Sequence, residues 1–179
     1  MPLRGLGLAK ACRLVAAIEL GARAAATPLA REKPLTSSVD VFNALQHRFL
    51  HETREHLLAI PLNAKNTPLA EVTIAVGGLA ACMSSPGDVF RQILRYGCHG
   101  FILVHNHPSG DCRPSVDDLS FTRQIEAAGE VIGISVVDHV VIGHGEFFSF
   151  RDEGLLHGGK PISASQPNAE PGHGNQCPT

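Results

Sequence analysis

His105 and His107, one residue apart, and Asp118, eleven residues further on, are the side chains whose types and spacing could do chemistry in this chain. Four apolar residues, Phe101 to Val104, follow Gly100 and precede a segment punctuated by Pro108, Ser109, Gly110 and Pro114. That is the pattern of a buried strand running into a turn-rich loop. Alternate residues of a strand face the same way, so both imidazoles project together while Asn106 points oppositely. Ser115 to Asp118 reads Ser-Val-Asp-Asp, a Ser-x-x-Asp that can cap the following helix. Asp118 then lies in the first helical turn, and since helical side chains lean toward the N-terminus, its carboxylate can reach back over the loop. Two imidazoles and one carboxylate, with water in the open fourth position, make a tetrahedral catalytic zinc site.

The order His-x-His, seven residues, Ser, two residues, Asp is similar to the motif of the JAB/MPN metalloproteases, and HNHPSGD…PS…D resembles the form carried by bacterial RadC proteins. The resemblance continues through EHLLAIPLNAKN upstream and through GISVVDHVVIG and SFRDEGLL downstream, over residues 40 to 156. It implies a zinc-dependent hydrolase of an amide, peptide or isopeptide bond, with a protein or peptide as substrate. It also implies that Glu55, just before the first strand, is the base that takes a proton from water and returns one to the leaving amine. Glu52 and Glu71 are the alternative carboxylates. Ser115, besides capping, could donate to the developing oxyanion as the family's motif serine does. RadC proteins commonly carry His-Pro-Arg-Glu before the helix that precedes the motif. Here Ser85-Pro86-Gly87-Asp88 loses a basic residue and shortens an acid, which leaves the metal set untouched but alters any substrate contact from this turn.

A second class of function is a DNA-associated module. Residues 1 to 35 hold six basic residues against Glu19 and Glu32, a local charge of +4, and Gly5-Leu6-Gly7 precedes a helical stripe of Leu8, Cys12, Val15, Ala16, Ile18 and Leu20. This segment resembles the second hairpin of the helix-hairpin-helix module of RadC proteins, whose backbone amides can face a phosphate. On that alternative the N-terminus binds DNA weakly and the metal domain is a non-catalytic scaffold. A hairpin remnant that packs on its neighbour fits the same residues. Two nominal matches fail: an HNH nuclease spreads its motif residues across a ββα fold, and a zinc deaminase needs a Cys-x-x-Cys that is missing here.

The 179 residues suffice for one well-buried domain and a short appendage. The composition, 44% apolar and 18% charged with a net charge of −2, is that of a soluble globular protein without a general pull toward nucleic acid. No apolar run approaches the roughly 18 residues of a membrane span, and charges interrupt the apolar positions of residues 1 to 20, so a cytoplasmic location is expected. The five cysteines are scattered and indicate neither a disulfide framework nor a thiolate finger. Cys112, between the candidate ligands, is either a ligand or redox bystander or a loop filler.

The elements that must position this set can be placed in order. Residues 1–25 form the hairpin remnant and 26–37 a linker. Residues 38–156 form the metal-hydrolase domain, and 157–179, rich in Gly, Pro, Ser and Asn, form a disordered tail. Ser38 caps a helix over Val39, Phe42, Leu45 and Phe49, reaching about Glu52. LLAIPL and the segment around Val72 to Val76 form a hairpin, with Pro61 indicating an edge or irregular position. A helix starts at Pro86, another covers Leu119 to Ala128, and the β-branched IGISVVDHVVIG and then EFFSF complete the strands. His139 is either behind the site, substrate-facing, or simply packed and hydrogen-bonded, and it stays outside the expected site. The fold class is α/β, a layered mixed sheet flanked by helices of JAB/MPN type, with a short helical N-terminal segment.

Overall fold

The most apolar stretches of the chain become the middle of a five-stranded sheet. A computed structural model describes residues 7–25, 33–77 and 85–157. The strands are β1 (His56–Leu62), β2 (Val72–Val76), β3 (Gly100–Asn106), β4 (Ser135–Ile142) and β5 (Phe147–Ser149), in the order β2-β1-β3-β4-β5. Only β3 and β4 run parallel; every other neighbouring pair is antiparallel. A parallel pair needs a crossover of a dozen or more residues, and α4 (Val116–Ile132) is that crossover, terminated by Gly133 at φ 79°.

Both faces of the sheet are covered, which explains why β3 is one uninterrupted apolar run up to its histidine. On one face α2 (Ser38–Phe49) sets Val41, Phe42, Leu45 and Phe49 against Leu58, Ile60, Ile102 and Val104, and Phe42 stacks on Phe147 with ring centroids 4.9 Å apart. On the other, α3 (Pro86–Ile93) and α4 bring Val89, Phe90, Phe121 and Ile125 against Leu57, Ala59, Phe101 and Leu103. A bulge in β4 sets the faces of its second half: Phe101 pairs with Val136 and Ile102 with Asp138, so Val137 is the extra residue. Because side chains alternate with a period of two, this one-residue slip turns His139 to the face of Leu103 and His105.

Several expectations are corrected. Ser37, not Ser38, caps α2: its hydroxyl accepts from Asp40 N–H at 3.2 Å while the Asp40 carboxylate accepts from Ser37 N–H at 3.0 Å. Ser38 is the first helical residue and its hydroxyl donates to Asp152. Pro61 does not mark an edge, since β1 lies between β2 and β3. The Pro61 carbonyl accepts from Leu69 N–H at 2.9 Å, so the proton-less nitrogen faces the β2 side beyond Ala59, where that ladder has ended. Leu35, inside the expected linker, is buried in the α2 cluster. The N-terminal helix exists as α1 (Leu8–Ala25), but Leu8, Val15, Ile18 and Leu20 of its apolar stripe are exposed. The rest of the linker, over 26–32, the turn at Gly5 and Leu6, and the tail beyond His157 lie outside the described residues. Among the described residues no helix is long and apolar enough to cross a membrane.

Ser37→Ala is expected to destabilise the fold by about 1 kcal/mol in chemical denaturation, and Ser37→Gly by only a few tenths, because glycine tolerates the cap conformation better than alanine. Equal losses in the two variants would mean that the capping bond is not what holds this end of α2.

Candidate metal centre

β3 delivers His105 at the sheet end where α4 begins, and the loop beyond β3 folds back to place His107 beside it. The His107 N–H donates to the Ile142 carbonyl at 2.9 Å, so the chain stays tied to β4 one residue past the strand. The loop is clamped further by the turn after β4. There the Gly110 carbonyl accepts from His144 N–H at 3.0 Å, and a Cβ on Gly143 would lie 2.2 Å from that oxygen. Only a glycine allows the two backbones to approach this closely. The two imidazole Nε2 atoms end 3.0 Å apart. Asp118 Oδ1 lies 3.2 Å from His105 Nε2, and Oδ2 lies 3.4 Å from His107 Nε2.

Each of these groups has its other polar atom engaged. His107 Nδ1 is 2.7 Å from the Asp111 carbonyl; a carbonyl only accepts, so the ring proton is on Nδ1 and the Nε2 lone pair faces His105 and Asp118. Asp118 Oδ2 accepts from Ser115 N–H and from the Ser115 hydroxyl, both at 2.7 Å, and Asp118 N–H returns to Ser115 Oγ at 3.1 Å. The expected cap is therefore present and occupies one carboxylate oxygen, leaving Oδ1 toward the histidines. Ser115 is exposed, but its one hydroxyl proton is already given to Asp118.

Burial would push the Asp118 carboxyl up; hydrogen bonding with His105, His107 and Ser115 outweighs this and holds it far below the usual carboxylate range. Burial likewise opposes a charged His107, but Asp118, the Asp111 carbonyl and the negative charge of Glu55 overcome it and raise that imidazole above its ordinary value. Lone pairs this close to each other and to a carboxylate repel unless a cation lies among them. A proton on His107 would be one such cation. With the three ligand atoms within 4.8 Å of one another, a divalent metal fits the same donor set of two borderline nitrogens and a hard oxygen.

Glu55 lies where the antiparallel register carries it. Leu57 pairs with His105 at the end of the ladder, so continuing that register brings Glu55 toward His107, whose imidazole feels the Glu55 charge. Asn106, the residue between the histidines, fixes that stretch from both sides: its Oδ1 accepts from His56 N–H at 2.8 Å and its Nδ2 donates to the Arg54 carbonyl at 3.1 Å. Glu52 instead pairs with His56 Nε2 at 3.0 Å, and Glu71 with Arg48 at 2.9 Å. Cys112 is fully buried with Val141, Phe148 and Phe150, filling the loop rather than joining the ligand group.

Two residues escaped the sequence reading. Strand alternation alone gives Asn106 the far face but no partner, although the middle of a His-x-His points away and so can reach the neighbouring strand. His139 was left out; it lies 2.8 Å from His105 Nδ1, on a face that alternation without the β4 bulge would not assign to it.

Residues 35–155 match the family model described as RadC-like JAB domain. The chain is 44% identical over 156 residues to a UPF0758 protein of Symbiobacterium thermophilum, covering 87% of this chain and 66% of that protein. It is 40% identical over 152 residues to one of Caldanaerobacter subterraneus, covering 85% and 65%. The chain thus spans just under two thirds of the length of these curated relatives.

Metal and proton compete for the same lone pair. Because the His107 imidazole is raised above its ordinary value, its proton persists to higher pH, while Asp118 stays ionised throughout. Zinc affinity of the stripped protein, measured by competition with a chromophoric chelator between about pH 8 and about pH 6, should fall with pH by up to tenfold per unit. Affinity that stays flat over that span would exclude an imidazole ligand. Gly143→Ala should lower thermal stability by about 1–3 kcal/mol through overpacking and weaken zinc binding with it; a variant of unchanged stability would show that the loop is not clamped there.

Proposed function

This chain belongs to the RadC family through its RadC-like JAB domain, and from that premise we propose that it is a zinc-dependent hydrolase that cleaves an amide, peptide or isopeptide bond with water. The observation that carries this reading is the convergence of His105, His107 and Asp118 within 4.8 Å, each with its remaining polar atoms committed, with the charge of Glu55 acting on His107. A zinc ion held by these three residues would supply Lewis acidity, polarising a carbonyl and making water nucleophilic near neutral pH.

The chain's own residues account for the rest. His105 and His107 present Nε2 lone pairs, and Asp118 presents Oδ1 while the cap holds Oδ2. Glu55, whose charge acts on His107, takes a proton from the attacking water and hands one to the departing amine, the two halves of general acid–base catalysis. Ser115 fits the oxyanion role if its hydroxyl turns from Asp118 toward the substrate; until then it is a cap. Cys112, buried among apolar side chains, is not presented as a covalent nucleophile, which favours direct attack by water. The turn at Ser85 supports a changed substrate contact: Ser85 and Asp88 form a capping box at the start of α3, and Asp88 pairs with Arg91 at 3.2 Å.

Three proteins test the proposal: the wild type, His107→Ala and Glu55→Gln, each assayed for zinc content and against a panel of peptide and isopeptide amides. Wild type should hold one zinc per chain and His107→Ala should lose it, with any activity. Glu55→Gln should keep the zinc while turnover falls on the order of 10²- to 10⁴-fold, the worth of a positioned general base. Near-normal turnover in Glu55→Gln, or full zinc in His107→Ala, would overturn the assignment of the base or of the ligand respectively.

A further inference from the structure

Behind His105, away from Asp118 and His107, a chain of three hydrogen bonds runs through the interior. His105 Nδ1 is 2.8 Å from His139 Nε2, His139 Nδ1 is 2.6 Å from Thr122 Oγ1, and Thr122 Oγ1 is 2.6 Å from the Asp118 carbonyl. All four residues are buried, with His139 and Thr122 at 0% and 1% exposure, so no solvent competes for these atoms. The chain starts at one candidate ligand and ends on the backbone of another.

The direction of every bond follows from its last member. A carbonyl only accepts, so the single hydroxyl proton of Thr122 goes to Asp118, the i−4 back-bond open to a threonine inside a helix. Thr122 Oγ1 must then accept from His139, which places the His139 proton on Nδ1. His139 is fully buried, and burial in an apolar interior disfavours the charged form of an imidazole. The ring is neutral and its Nε2 is a bare acceptor. His105 must donate from Nδ1, and its Nε2 lone pair is left facing His107 and Asp118. The opposite tautomer of His105 would set two lone pairs against each other at the His139 contact and put a proton where a metal would bind. The His139 ring cannot turn away easily, because it stacks on Phe150 at 4.7 Å between centroids.

We propose that His139 is the positioning residue of this centre: through Thr122 it locks His105 in the Nδ1–H tautomer and so aims the His105 Nε2 lone pair at the metal. The inference rests on His105 being a ligand, as in the function proposed above. It adds that ligand competence is set from behind by a neutral histidine, and that Thr122 is required for it.

The test uses the full chain, metal-free and 15N-labelled in histidine, at about pH 8, above the ordinary imidazole value. Long-range 1H–15N correlations distinguish the two tautomers of each ring. The wild type should show His105 with its proton on Nδ1; a proton on Nε2 would overturn the proposal at once. His139→Phe keeps the stack on Phe150 but removes the acceptor, and Thr122→Val removes only the hydroxyl. Both should give a mixture of His105 tautomers and weaken zinc binding by about 10- to 100-fold, the usual cost of losing a hydrogen bond behind a ligand. His139→Gln can accept through Oε1 and donate to Thr122 through its amide, so it should restore most of the affinity, a rescue that lost packing alone would not give. Zinc affinity unchanged in a folded Thr122→Val protein would overturn the relay, and if His139→Phe does not fold, the wild-type spectrum and Thr122→Val still decide. A chain that hydrolyses nothing yet shows the Nδ1–H tautomer supports the relay and removes only the hydrolase reading.

Discussion

An ionised carboxylate sealed inside the protein governs this end of the molecule. Asp118 is 2% exposed, and transferring a charge out of water costs several kcal/mol even after relaxation. Three features offset that cost. The positive end of the α4 dipole lies under the carboxylate, the Ser115 N–H and hydroxyl bind Oδ2, and the two imidazoles face the remaining surface. The first two are permanent, while the third depends on a cation being present, whether a proton or a metal. The site is thus most comfortable when charged, which is the electrostatic basis for reading it as a metal centre and not as a neutral polar cluster.

Much of this was legible from the residues because it depends on short-range rules. The strand period of two joins His105 to His107, and Ser115 with Asp118 states the cap of α4 in four letters; both rules act within one element and survive any tertiary context. The boundaries of α2 were less legible, since Ser37 and Ser38 are chemically identical and only the position of Asp40 three residues after Ser37 selects the cap. Pro61 left an edge and an irregular position open, and the second holds: a missing N–H matters only where the neighbouring strand would have used it, and the length of β2 is not written in β1. His139 and Thr122 were beyond reach for a deeper reason: their partners are 34 and 17 residues away in sequence, and the face of His139 depends on a bulge that simple alternation cannot foresee.

The assembly also shows how a sheet can hold loop residues with the precision of a core. Asn106 binds the peptide groups on both sides of Glu55, so the segment before β1 is fixed by β3 although it has no ladder of its own there. On the other flank the loop carrying His107 is held by Ile142 and by the Gly110–His144 backbone contact. Glu55 and the two histidines are therefore held at the ends of neighbouring strands whose separation is set by main-chain hydrogen bonds.

The bulge in β4 has an electronic consequence. Had β4 paired residue for residue from Val136 onward, Asp138 would stand opposite Leu103 in the place that His139 fills, and the acceptor behind His105 would be an anion. A carboxylate draws the Nδ1 proton toward itself, gives the imidazole imidazolate character and raises its basicity as a ligand. A stronger donor neutralises more of the charge that a bound cation shows to its substrate. A neutral imidazole does less of this, so a cation held here would stay the stronger Lewis acid. Asp138 itself is turned to the other face, where burial lifts its carboxyl to about 6 and Ser149 and the Arg151 N–H bind it. The slip in register thereby keeps an acid on the far side of the sheet from the candidate ligands.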